Sequence, residues 1–206
     1  MLAKNALTTL ERMKLMLGLE ESDEKTDAMV ELLINKASAW VERQIGRHLG
    51  KCQYHQWYDA DGQQELVTEE YPIINVEFVK EDGRLVDPDR YDYGQTGKIG
   101  VIYRDDGWLK AGYRQGLAYD IITLKRAIEV SYTAGYVLPK DATKKNPQTL
   151  PADLEGLVWD MVSQMFTNLQ NGSQGLSSFS ISDVTWRFDK KIPESWMQII
   201  NLYRRY

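Results

Sequence analysis

The apolar period of the chain changes between Ile128 and Leu169, and that change limits the folds open to it. Ile128, Val130 and Tyr132 alternate with Glu129, Ser131 and Thr133, the period-two pattern of a half-buried strand. The pattern ends at Ala134-Gly135-Tyr136. After a linker, Leu150-Pro151-Ala152-Asp153-Leu154 opens a second pattern. Leu154, Leu157, Val158, Met161, Val162, Met165, Phe166 and Leu169 then recur at helical spacing and form a wide apolar face. Proline suits a first helical turn, where its missing N–H leaves no bond unmade. A strand therefore hands over to a long amphipathic helix. The junction carries no catalytic group and reads as a structural part.

The first third reads as helix. Thr8-x-x-Glu11 predicts a capping box. A short helix follows from about Thr9 to Leu17 and stops at Gly18. The acidic stretch from Ser22 to Asp27 suits the positive end of a second helix. Val30, Leu33, Ile34, Ala37, Val41 and Ile45 continue it as one apolar stripe over about 28 Å, up to Gly46. From Cys52 to Thr133 the chain reads as strands, rich in β-branched and aromatic residues. Tyr71 to Val79 predicts a strand with a hairpin turn at Asp82-Gly83. The stretch from Asp105 to Ala118 is less regular. Pro139 to Pro151 reads as a loop, Asn171 to Ser180 as a Gly/Ser loop, and Ser182 to Phe188 as a short strand. Pro193 opens a last helix with Trp196, Ile199, Ile200 and Tyr203 on one face.

The chemistry for catalysis is sparse. The 206 residues include two histidines and one cysteine, Cys52. Cys52 and His55 stand three apart on a predicted strand, which turns them to opposite faces. His48 lies just past a helix end, where a cation is favoured. Asp59-x-Asp61-x-Gln63 with Glu70 has the acids of a calcium loop but Gln64 where the sharp-turn glycine belongs, so it reads as a polar turn. Gly94, Gly97 and Gly100 lack the spacing and context of a dinucleotide fingerprint. No phosphate-loop motif exists. A net charge of −5 argues against broad, charge-driven nucleic-acid binding. A single cysteine excludes an internal disulfide, and a reducing compartment is expected. The first eighteen residues do not read as a signal peptide, because Lys4, Glu11, Arg12 and Lys14 break their apolar pattern. No apolar run is long enough to span a membrane. The sequence thus predicts no enzyme activity, no metal and no cofactor.

Two segments hold candidate contact residues. The end of the chain, Tyr203-Arg204-Arg205-Tyr206, reads either as a frayed helix terminus or as part of a helix docked in a partner's groove. Asn171, Gly172, Ser173, Gln174 and Gly175 read either as a connector or as a loop that lines an opening.

Several stretches share one further likeness. They are Leu7 to Lys14 with Leu17-Gly18, Leu32-Leu33-Ile34, Gly46-Arg47, Tyr71-Pro72-Ile73, Val130 to Tyr136, Leu150 to Glu155 and Ser182 to Thr185. In that order the chain resembles the head–tail connector, or adaptor, family of long-tailed bacteriophages. The resemblance covers most of the chain and is weakest between about Arg90 and Leu124.

The resemblance implies a structural head-completion protein of the virion, assembled in the host cytoplasm. It implies a homo-oligomeric ring, usually of twelve copies, below the portal protein. Packaged DNA would pass through the ring, and a neck, stopper or tail-completion protein would bind beneath. The alternative is another neck or tail-completion protein further from the portal. Family precedent sets the C-terminal helix, with Trp196, Ile199, Ile200, Tyr203, Arg204, Arg205 and Tyr206, against the portal. Sequence pattern and resemblance together predict an α+β, mainly helical fold. A small antiparallel helix bundle would take up residues 1–50 and 137–206, with an extended C-terminal helix. Residues 51–136 would form an inserted β-strand and hairpin region.

Overall fold

A computed structural model describes residues 1–19, 21, 23–108, 124–172 and 192–204. The chain forms two compact units: Met1–Leu49 with Val137–Tyr206, and Gly50–Tyr136. The expectation of a mainly helical bundle is overturned. The described residues hold four α-helices, but also a four-stranded antiparallel sheet and a separate two-stranded sheet. The reason is that β-pairing in the second unit is long in range. Local pattern reveals each strand but not the partner it finds far along the chain.

In the helical unit, α1 is Leu10–Leu17, α2 Glu24–Ile45, α3 Ala152–Gly172 and α4 Glu194–Tyr203. The predicted stripe of α2 is buried throughout, as are Leu154, Leu157, Val158, Met161, Val162, Met165 and Phe166 of α3. The capping box at Thr8 is not formed. Thr9 caps α1 by accepting from the Arg12 N–H, which frees Thr8 for a different task. The Thr8 hydroxyl donates to Glu155 Oε1 at 2.9 Å and accepts from Trp159 Nε1 at 2.8 Å. Arg12 and Gln148 also donate to the buried Glu155 carboxylate. One carboxylate thus ties α1 to α3.

A second polar set lies on α2. Glu31, Asn35, Ser38 and Glu42 follow a 4-3-4 spacing and so share one helix face. The first residues of the chain run along it. Met1 pairs with Glu31, the Ala3 N–H bonds Asn35 at 2.7 Å, the Leu7 N–H bonds Ser38 at 3.0 Å, and Asn5 bonds Glu42 at 2.8 Å. Glu42 also accepts from the Leu49 N–H at 2.8 Å, holding the chain just past the end of α2.

In the β unit, β1 is Cys52–Ala60, β2 Glu65–Val67, β3 Ile73–Glu81, β4 Arg84–Leu85, β5 Val101–Tyr103 and β6 Leu124–Ala134. The large sheet has the order β1-β6-β3-β4, and β2 pairs with β5. β6 is the spine: Tyr132 stands opposite Tyr54 on one side and Val76 on the other. The turn predicted at Asp82-Gly83 joins β3 to β4, and both residues have positive φ, as the tightest hairpin turns require. Ile128, Val130, Tyr132 and Ala134 share a core with Val79, Leu66, Ile102 and Trp108. At Gly107 (φ 75°) an added Cβ would come within 2.7 Å of the Gly62 carbonyl oxygen. Only glycine fits that turn.

Glu155→Ala should destabilise the helical unit by about 2–3 kcal/mol, because it strands buried donors. Arg12→Ala should cost less, about 1 kcal/mol, since the Arg12 side chain is 44% exposed. Chemical denaturation of both variants measures the difference, and equal losses would contradict the assignment of Glu155 as the anchor.

Candidate functional site

The groups with chemical potential are placed in structural roles. His55 Nε2 lies 2.7 Å from Glu129 Oε1, and its ring stacks on Trp57. Lys80 donates to the same carboxylate at 3.1 Å. The hydrogen bond from His55, then that from Lys80, holds the Glu129 carboxyl below the ordinary range. His48 is exposed, with Nδ1 3.7 Å from Glu42. Cys52 is exposed on the edge strand, and its thiol makes a long contact to the neighbouring Gln53 carbonyl. Asp59 accepts from the Arg126 N–H, and Asp61 from the Gln63 N–H, as turn residues do. Among the described residues no group of three or more His, Cys, Asp and Glu could hold a metal. No described helix is long and apolar enough to cross a membrane.

Charge is unevenly divided. Gly50–Tyr136 contains ten Lys and Arg against fifteen Asp and Glu, and the rest of the chain fifteen of each. The β unit therefore carries the whole excess of −5. Part of it lines an open cavity of about 310 Å³ bounded by Asp89, Arg90, Tyr91, Asp92, Tyr103, Asp105 and Asp106. Beside it, the nearly buried Arg104 donates to Glu81 at 2.6 Å and to Asp106 at 2.7 Å, and lies over the Trp108 ring. Arg90 pairs with Asp106 as well. This network joins the end of β3 to the turn after β5. It is a structural clamp, and its cations are taken by its own carboxylates.

The predicted docking residues fall into three groups. Trp196 and Ile200 are buried within the helical unit, where α4 packs on α2 and α3. Ile199 and Tyr203 are half-buried and Arg204 is exposed. The Tyr203 hydroxyl bonds the Asp153 carboxylate at 2.8 Å, and the Tyr203 carbonyl accepts from Arg47 at 3.4 Å. Arg205 and Tyr206 lie outside the described residues. So do Ser173, Gln174 and Gly175 of the second candidate segment. Asn171 and Gly172 belong to the backbone of α3, which runs two residues further than the sequence suggested. The predicted strand from Ser182 to Phe188 also lies outside the described residues. Leu202, outside the predicted set, lies off the stripe of Trp196 and Ile200 and is the most exposed apolar side chain of α4 at 76%.

The sequence profile of the head completion protein family matches residues 6–206. The chain belongs to this family. A solved chain, from the neck of an empty GTA particle computed with C6 symmetry, shows a similar fold. It matches over 100% of this chain and 93% of its own length, at 14% identity and a TM-score of 0.54. Another, from the virion of a native gene transfer agent particle, matches over the same shares at 14% identity and a TM-score of 0.48. No curated protein matches.

The Arg104 hydrogen bond pulls the Asp106 carboxyl down from an ordinary 3.8 to about 2. A carboxylate depressed by folding stabilises the folded state above its unfolded pKa and loses that contribution as pH falls through the folded value. The β unit of the head completion protein should therefore lose stability between pH 3.8 and about 2. Asp106→Asn should flatten that part of the profile in acid titrations followed by circular dichroism. An unchanged slope would count against the clamp.

Proposed function

We propose that this protein is a structural, non-enzymatic component of the virion that completes the head after DNA packaging. In this reading it forms a homo-oligomeric ring below the portal, extends the DNA channel, and presents a platform for the next neck or tail protein. The family match across residues 6–206 carries the proposal, and the neck chain of similar fold supports it. A virion location follows from the same reading. The segment from Asn171 to Gly175 is proposed to face the channel or a neighbouring copy. The acid excess of the β unit fits a protein that lets DNA slide, since carboxylates repel phosphates.

The portal-docking surface is proposed to be the outer side of α4 and the residues after it. Burial decides which side chains are available. Trp196 and Ile200 belong to the core, so truncating the chain before Trp196 would damage the fold, and Trp196→Ala alone should cost about 3–5 kcal/mol. Leu202 and Arg204 are exposed; Arg is enriched among the residues that dominate binding, and an exposed Leu gains by leaving water on contact. Leu202→Asp should weaken binding to purified portal at least about tenfold, or about 1.4 kcal/mol, with an unchanged circular dichroism spectrum. Full-strength binding by a folded Leu202→Asp variant would remove α4 from the interface.

Particles assembled without this protein should be full heads that leak DNA and lack tails when viewed by electron microscopy. Tailed particles that retain their DNA would refute the head-completion reading.

A further inference from the structure

The helical unit carries two exposed surfaces of opposite character that its own fold leaves unused. The first is the corner between α1 and α2. Leu15 is 76% and Met16 52% exposed, although α1 has only eight residues. Their position is fixed. Gly18 closes the helix in the left-handed conformation, its N–H bonds the Leu15 carbonyl, and the Leu19 N–H bonds the Lys14 carbonyl at 2.9 Å. Such a closure holds the last turn rigid. Next along the chain, Glu21, Asp23, Glu24 and Asp27 supply four carboxylates against one lysine, Lys25. Asp23 caps α2 through the Thr26 N–H, and Asp27 pairs with Lys14. Glu21 and Glu24 are exposed and make no ion pair among the described residues.

The second surface is the turn from Thr143 to Asn146. The Thr143 N–H bonds the Asn146 carbonyl at 2.8 Å, and the Asn146 N–H bonds the Thr143 carbonyl at 3.2 Å and its hydroxyl at 3.0 Å. This closed turn holds up Lys144 and Lys145, both exposed and without an ion pair among the described residues, whereas Lys140 is taken by Asp141. Lysine stems can lie along apolar side chains while their ammonium groups reach carboxylates beyond. A pair of adjacent lysines therefore matches an apolar tip followed by acids.

The two surfaces belong to different segments of the helical unit. The acidic corner contains the first turn of α2. The basic turn leads into the start of α3, and Gln148, two residues after it, accepts from Arg12 of α1 at 2.7 Å. We propose that a second copy of this chain is the occupant: the Leu15–Met16 tip of one copy, with Glu21 and Glu24, seats on the Lys144–Lys145 turn of the next. Charge complementarity within one sequence selects a second copy as the partner. Because the two surfaces differ, the contact is head to tail, the kind that closes into rings. The inference rests on the ring reading above and names its subunit contact. The paired charges steer the encounter and set register.

Two experiments test it. In a Cys52→Ser background, Met16→Cys combined with Lys145→Cys should give, in purified particles, a ladder of disulfide-linked multimers on a non-reducing gel. No ladder, or a product that stops at dimer, overturns the head-to-tail contact. Charge reversal provides the second. Lys144→Glu with Lys145→Glu in one chain, and Glu21→Lys with Glu24→Lys in another, should each lower the yield of tailed particles at least tenfold. Supplying the two variants together should restore it, because alternating copies regain opposite charges at every contact. Wild-type yields from either variant alone, or no rescue on mixing, overturn the proposal and leave head completion standing. Tailed, DNA-retaining particles without the protein would instead refute head completion.

Discussion

The chain leaves the helical unit at Leu49 and returns to it at Val137, so half of that unit's core lies on each side of a long excursion. Closing a loop of that length costs conformational entropy before any helix contact repays it. The β unit removes the difficulty by bringing its own ends together. Gly50 and Tyr136 bridge each other, and the Lys51 N–H bonds the Tyr136 carbonyl at 2.8 Å. This closure follows from β6, which pairs with β1 along one edge and β3 along the other. Cys52 thus stands opposite Ala134 and the two crossing strands start in register.

Within the helical unit, buried polar groups fix what apolar packing leaves loose. Eight residues of α1 bury little, with Met13 its one fully buried side chain. Its place is set by Glu155, Arg12 and Thr8, and the segment before it by the Asn35, Ser38 and Glu42 side chains of α2. Hydrogen bonds are directional, and an unmet buried partner is costly, so these contacts specify one position where a short helix could slide. The same arrangement leaves Leu15 and Met16 outside the core. Their exposure is a consequence of how α1 is anchored, and it makes them available to another molecule.

The membership of the head completion family agrees with a chain whose titratable groups serve as clamps. Arg104 is shared between Glu81 and Asp106, and His55 and Lys80 share Glu129. The first joins the end of β3 to the turn after β5, and the second links β1, β6 and β3 of the large sheet.

The helices were legible in the sequence because a helix is decided locally. The stripe from Val30 to Ile45, the glycine stops at Gly18 and Gly46, and the face from Leu154 to Phe166 needed only the 3.6-residue period. The turn at Asp82-Gly83 was equally local. The amount of sheet was not, because β1 and β6 meet across the whole second unit and their partnership leaves no mark on either segment alone. The candidate site shows the same division. Trp196, Ile199, Ile200 and Tyr203 were visible as one face of α4. Whether that face met the chain's own core or a partner depended on where α2 and α3 lay, and it was the core that took Trp196 and Ile200. The sequence pattern pointed to Thr8 as the cap of α1, but Glu155, 147 residues away, claims its hydroxyl and Thr9 caps the helix instead. The sequence by itself determined the elements and their ends, since those rest on contacts within a few residues. The tertiary structure decided which strands pair, which polar groups lock and which apolar residues stay exposed, since each is a competition among partners far apart along the chain.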